Sequence, residues 1–280
     1  MAVVLAIDGL RPSCDSTSEG LALTKGTLVK TVYWSLLAIF IIAVGASGSF
    51  AWGELQEKTV APANGLSGGT MITTTTPPLE LARAAFVAHG GEKFRDLKSV
   101  VLRGSVDLYP PNSTQGIPGG FVLLTAGDKI RLEIDARPAI AFKQIYDVEQ
   151  SYSSIPGVEL PPLSKFGLPV LARFEQQGYT VTAIPDKKKQ RGFRISDSEG
   201  NATDFYVDPV TARVMIFLVP YNGYTFGTEH KKMKEIEGVL IPYSFVQRME
   251  MPQGAFFAEY SVKDAKVNQP LADDVFAIPN

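Results

Sequence analysis

Apolar and polar positions alternate along most of the chain from residue 98 onward. In 239–246, Val239, Ile241, Tyr243 and Phe245 alternate with Leu240, Pro242, Ser244 and Val246. In 129–136, Ile130, Leu132 and Ile134 alternate with Lys129, Arg131, Glu133 and Asp135. A period of two marks strands with one face on a core and one in water. The pattern predicts strands at 98–109, 121–125, 129–136, 139–148, 179–184, 192–196, 203–207, 213–219, 228–238, 239–251 and 255–267. The last two are joined through Pro252-Gln253-Gly254, where Gly254 can take a positive φ. A closing tail, 268–279, returns Val275, Phe276 and Ile278 to the sheet.

The period changes to helical at two places. In 78–89, Leu79, Ala82, Ala85, Phe86 and His89 share a face, Thr76 stands ready as cap, and Gly90-Gly91 ends the run. Residues 92–97 add one more turn. In 160–177, Leu163, Phe166, Val170, Leu171 and Phe174 form an apolar stripe, with Pro169 kinking or dividing it. About ten or eleven short strands with two helical insertions predict a mainly β fold. Its form is a single curved antiparallel sheet, an incomplete β-barrel covered by helices, because a sheet that wide must curl.

Residues 32–44 (VYWSLLAIFIIAV) are apolar apart from Ser35, preceded by Lys25 and Lys30 and followed by small residues through Ala51. Two readings stand side by side. One is a secretory signal peptide cleaved after Ala51, with translation starting near Val29. The other is a signal anchor, residues 31–52, whose Lys25 and Lys30 keep the N-terminus cytoplasmic. The expected organisation is therefore a leader at 1–51, a flexible Gly-, Thr- and Pro-rich linker at 52–77, and a folded domain at 78–280. Both readings export the domain, to the periplasm or to the inner membrane facing it.

The net charge is −2, which with no long basic block argues against nucleic acid as partner. Asp186–Arg191 and Lys231–Lys234 are small basic clusters that read as solvated hairpin ends, with contact to acidic lipid head groups as the alternative. The single cysteine, Cys14, rules out an intramolecular disulfide, and it precedes the apolar run rather than following it, so it is not placed as a lipoprotein acylation site would be. Only His89 and His230 are histidines. They lie in different elements: His89 as a last-turn residue favoured by the helix dipole, His230 as a solvated residue of a polar strand. Asp273-Asp274 reads as a turn rather than a calcium site. No nucleophile elbow, zinc-binding helix or phosphate loop is present, so neither enzyme activity nor a cofactor or metal is expected.

The closing segment carries a resemblance. Gly238, Val239, Ile241 and Pro242 open a strand pair. Val267, Asn268, Pro270, Leu271, Asp273, Phe276 and Pro279 then follow at the spacing V-N-x-P-L-x-D-x-x-F-x-x-P. This pattern resembles the C-terminal half of the LolA/LolB-like superfamily of periplasmic lipid and lipoprotein carriers and sensors, and the likeness extends upstream to about Leu79. The hairpin FYVDPVTARV is similar to that superfamily's as well, with Ala212 where glycine is usual. At a second turn, Tyr146-Asp147-Val148, Val148 stands where relatives often carry glycine.

The resemblance implies an apolar cavity for acyl chains. The candidate lining is Val100, Leu102, Val106, Ile130, Leu132, Ile134, Phe193, Phe205, Val239, Ile241, Phe245, Phe256 and Tyr260. The same residues, read by alternation alone, could equally fill a dry packed core. The implied partners are lipid or lipoprotein acyl chains, with membrane contact through the N-terminal segment if it is uncleaved. The alternative is a membrane-anchored envelope sensor or scaffold that binds a protein partner through its sheet.

Overall fold

The computed structural model describes residues 72–251 and 254–279. The leader, the apolar run at 32–44, Cys14, nearly all of the linker and the Pro252-Gln253 turn lie outside the described residues. Among the described residues, no helix is long and apolar enough to cross a membrane.

Twelve strands form one antiparallel sheet that is not closed into a barrel. They are β1 (Ser99–Tyr109), β2 (Ile117–Ala126), β3 (Lys129–Ala136), β4 (Ile140–Tyr146), β5 (Ser151–Ser153), β6 (Thr180–Ala183), β7 (Arg191–Ser196), β8 (Ala202–Val207), β9 (Val214–Tyr221), β10 (Tyr224–Ile236), β11 (Val239–Met251) and β12 (Gly254–Val267). The strand absent from the sequence reading is β5, three residues paired to β4 with too short a pattern to alternate.

The order across the sheet is β5-β4-β3-β2-β1-β12-β11-β10-β9-β8-β7-β6. Two meanders are thus sewn together by β1 and β12. The topology has a consequence for the chain between them. β5 and β6 are consecutive in sequence yet form opposite edges of the sheet. Eleven strand spacings amount to about 50 Å if laid flat. Residues 154–179 must therefore travel from one edge to the other over a face of the sheet.

Cross-strand partners share a face, so the register assigns the rows. One row is Leu102, Leu123, Leu132 and Gln144; another is Val106, Tyr260, Phe245 and His230; a third includes Phe193, Phe205, Phe217 and Thr228. These rows form the inner face. Leu102, Val106, Phe121, Leu132, Phe193, Phe205, Phe245 and Tyr260 belong to one contiguous buried cluster. The outer face carries charged rows such as Arg131 and Glu133, and Arg194 with Asp204.

Helix α1 (Pro78–Ala88) and the single turn α2 (Glu92–Arg95) lie at the β6–β7 and β11 side of the sheet. Leu81, Ala82, Ala85 and Phe86 face inward. Leu79, expected on that face, is exposed; Leu81, at the opposite flank of the same buried arc, takes its place while Ala82, Ala85, Phe86 and His89 stay inward as expected. Thr76 does not cap the helix: Pro77 is the N-cap residue, and the Thr76 hydroxyl accepts from the Thr73 amide at 2.8 Å.

Segment 160–177 departs most from expectation. It holds one 3-10 helix, Leu168–Arg173, between irregular stretches. Pro161, Pro162 and Pro169 interrupt the helical ladder, and Gly167 sits at φ 76°, outside the helical region. The apolar residues still do the expected packing, with Phe166, Val170, Leu171 and Phe174 all buried.

The tail behaves as expected. The Asn268 amide donates to the Ser99 carbonyl at 2.9 Å, and the Ser99 hydroxyl donates to the Gln269 carbonyl at 2.6 Å. A 3-10 turn, Asp273–Phe276, buries Phe276, and Arg131 donates to the Val275 carbonyl at 2.7 Å. Arg131 faces outward, so the tail covers the outer face of β3.

Candidate functional site

The inner face is built from aromatic rows. Phe245 stacks on Tyr260 at 4.7 Å between ring centroids and 11° between planes, and Phe121 meets Tyr260 edge-on at 4.9 Å. Gly104 makes this possible. A Cβ there would lie 2.0 Å from the Ser261 carbonyl oxygen and 2.9 Å from the Phe121 ring, at the point where the β1–β12 register shifts. In the other half of the sheet Phe193 stacks on Phe205 at 5.2 Å, and Phe217 bridges Phe205 to His230. Burial pushes the Tyr260 phenol well above the ordinary tyrosine range, so it stays protonated.

Most residues expected from the sequence to line a cavity are placed on this face and buried. Val100 and Phe256 are only half-buried. All except Ile130 belong to, or pack against, the single apolar cluster; Ile130 lies opposite Thr125 and Tyr146 at the end of its strand. Val239 and Ile241 stand apart from the aromatic rows, close to the end of α1, where the Leu240 amide donates to the His89 carbonyl at 3.1 Å. Toward the 252–253 turn the face opens: Ile117, Phe226, Met249 and Phe256 are half-buried there. Register places Phe226 opposite Met249 and Met249 opposite Phe256. A shallow surface concavity of about 280 Å³ lies elsewhere, where the tail meets Lys98 and Ser99, and none of the thirteen candidates lines it.

Two parts cover the inner face: helices α1 and α2, whose Leu81, Ala82, Ala85, Phe86 and Phe94 join the cluster, and residues 154–178 of the edge-to-edge connection. Polar ties hold the connection to the helices as well as to the sheet: Arg83 pairs with Glu175 at 2.8 Å, Arg95 donates to the Ala172 carbonyl at 3.2 Å, and the Ser154 hydroxyl accepts from the Lys143 amide at 2.8 Å. The Gln144 side chain donates to the Leu160 carbonyl at 2.9 Å and accepts from the Leu160 amide at 2.8 Å. The Gly167 amide donates to the Thr203 hydroxyl at 3.0 Å. Lys165 pairs with Glu199 at 2.7 Å, and Arg173 pairs with Asp128. Between them Ile155, Val158, Leu160 and Leu168 pack, half-buried, against the cluster.

Both histidines contradict their expected roles. His89 is buried and its Nε2 accepts from the Val214 amide at 3.0 Å. His230, expected in solvent, is buried too and its Nδ1 donates to the Val214 carbonyl at 2.9 Å. One peptide segment at the start of β9 is thus gripped from both sides. Burial above all, with His230 and Arg213 nearby, lowers the His89 pKa to about 3. Burial lowers that of His230 to about 4, with the Val214 carbonyl acting weakly the other way. Both rings are neutral, so His89 gives the helix end no charge; it serves instead as a hydrogen-bond acceptor. The polar alternation of 228–238 concealed His230, because Lys231 and the bulges around Lys232 shift the faces of that strand.

Gln144 is a buried polar residue of the inner face that the sequence reading missed, and a signal for it exists. It occupies an inner-face position between Phe142 and Tyr146, a polar residue out of pattern on an apolar row. Among the described residues, no group of three or more His, Cys, Asp or Glu side chains is placed to hold a metal ion.

No family model matches the chain. No curated protein matches it either. Solved structures do. A LolA superfamily protein from Nitrosomonas europaea is 11% identical, with 73% of this chain and 99% of that one covered at a TM-score of 0.48. A putative outer membrane lipoprotein-sorting protein domain from Vibrio parahaemolyticus is 10% identical, covering 71% and 95% at 0.45. A DUF1329 family protein from Desulfovibrio piger is 10% identical, covering 72% and 98% at 0.46. One of the three carries the name of the superfamily that the closing segment resembles.

Proposed function

We propose that this is an exported, non-catalytic cell-envelope protein. It binds a lipid, or the acyl chains of a lipoprotein, between the inner face of its sheet and segment 154–178. The observation that carries this reading is the nature of the cover. An apolar face spanning a twelve-stranded sheet is roofed, beside α1 and α2, by a long irregular connection held by hydrogen bonds and ion pairs to the sheet and to the helices. Connections longer than about 12–15 residues without regular structure are commonly functional. A roof of this kind can lift without unravelling any strand. The half-buried Ile117, Phe226, Met249 and Phe256 form the mouth. Val100, Leu102, Val106, Ile130, Leu132, Ile134, Phe193, Phe205, Phe245 and Tyr260 form the floor and walls, and Val239 and Ile241 support the far end. Each buried methylene contributes about 0.8 kcal/mol, so a twelve-carbon chain needs few polar contacts to bind. The N-terminal segment serves as the export signal or as an anchor.

The test is native mass spectrometry of the protein from the envelope fraction of its producing cells, purified without detergent. A co-purified mass that fragments as a lipid supports the carrier reading. A second reading, a platform for a protein partner, is favoured by the close packing of Phe121, Phe245 and Tyr260. A bare polypeptide mass that stays bare after incubation with lipid vesicles would favour it and overturn the first.

A further inference from the structure

Gln144 is a polar side chain on an apolar face, 4% exposed, and both its amide nitrogen and its amide oxygen bond one residue of the cover. Its Nε2 donates to the Leu160 carbonyl at 2.9 Å and its Oε1 accepts from the Leu160 amide at 2.8 Å. A glutamine amide sets an acceptor oxygen beside a donor NH2. Here it pairs with the N–H and C=O of a single backbone residue. When segment 154–178 lifts to admit a chain, Leu160 leaves and both polar atoms of Gln144 lose their partners. They then face an apolar row of Leu102, Leu123 and Leu132, where an unpaired amide is strongly disfavoured.

Resting on the acyl-chain reading above, we propose that Gln144 is the specificity-determining residue of the site, and that Leu160 occupies its place for the ligand. The ligand that replaces Leu160 carries an acyl chain joined to an amide, with an N–H and a C=O close together. An N-acylated amino acid or peptide has this chemistry; a plain fatty ester supplies acceptors only. A site built to pair both groups discriminates against the analogue that lacks one. The latch and the reader are then the same side chain, so the empty protein stays closed and dry until a chain with the right polar group takes over the bond.

The experiment uses the full chain and displacement of a fluorescent acyl probe by two neutral competitors, N-dodecanoylglycine methylamide and methyl dodecanoate. The expected result is that the amide displaces the probe at a concentration about tenfold lower than the ester, and that Gln144→Leu abolishes the difference. Gln144→Met, which keeps the length of the side chain and loses both polar atoms, should likewise abolish the preference while retaining the fold, as followed by thermal unfolding. Equal displacement by amide and ester in the wild type would overturn the assignment and leave acyl binding standing. So would a Gln144→Leu protein that binds both more tightly with the preference intact, since Gln144 would then be a latch alone. A probe that never binds, and is displaced by neither competitor, would overturn the acyl-chain reading and this inference together.

Discussion

Acid should unfold this protein earlier than its carboxylates require, through the two histidines on Val214. In the unfolded chain each imidazole titrates near its ordinary value of 6.5. In the folded protein His89 titrates at about 3 and His230 at about 4. The unfolded state therefore binds protons first as pH falls. Stability is intact above about pH 6.5 and is lost progressively down to the folded-state values. At pH 5 each ring lies about 1.5 units below its unfolded value and still above its folded one. At about 1.36 kcal/mol per unit the loss is on the order of 2 kcal/mol for each histidine, or about 4 for the pair. That is a large part of the 5–15 kcal/mol typical of a domain. Carboxylates do not blur this window. Lys143 and Arg131 outweigh burial to hold Glu133 below its usual 4.5, Lys165 holds Glu199 below it, and Arg137 holds Asp135 at about 2, so all three act at lower pH. The assay is urea unfolding of the full chain at pH 7 and pH 5. The comparison protein carries His89→Gln and His230→Asn, whose amides reproduce the acceptor and the donor without titrating there. The wild type should lose about 4 kcal/mol between the two pH values and the double variant little. A wild-type loss under about 1 kcal/mol, or an equal slope in the variant, would refute the reasoning.

Three further outcomes follow from the geometry. Val148 sits at φ 93° and Ala212 at φ 58°, both unfavourable for a side chain, so Val148→Gly and Ala212→Gly should each raise stability by about 1 kcal/mol in denaturant titrations. Gly104→Ala forces a Cβ to within 2.0 Å of the Ser261 carbonyl and should cost more than about 3 kcal/mol, read as a lowered unfolding midpoint. Phe256→Asp, at the half-buried mouth, should weaken acyl-probe binding at least about tenfold with a small change in stability. Ile241→Asp, at 4% exposure, should instead cost the fold itself; equal loss of binding and folding at Phe256 would favour the packed core.

The sheet was legible because alternation is a local consequence of which face each strand buries. β3 was predicted over the residues it occupies, and β11 likewise. The two glycine departures were legible as well: Val148 and Ala212 do adopt the conformations a glycine would fill. The cover was not. Leu163, Phe166, Val170, Leu171 and Phe174 keep helical spacing, yet the connection must cross from β5 to β6, and an extended irregular path with Gly167 and four prolines spans that distance better than a compact helix. That demand is set by strand order, which no local pattern carries. For the same reason His89 and His230, 141 positions apart by numbering (230 − 89), gave no hint of meeting on Val214. Gln144 had a local signal but no partner until Leu160 was brought across it.

The most direct test of the account is hydrogen–deuterium exchange of the full chain with and without an acyl ligand. If the inner face binds chains beneath a lifting cover, ligand should speed exchange of the Leu160 amide and its neighbours in 154–178, while amides of β11 and β12 become slower. Ligand binding with the Leu160 amide as protected as before, or with exchange altered only outside these elements, would contradict it.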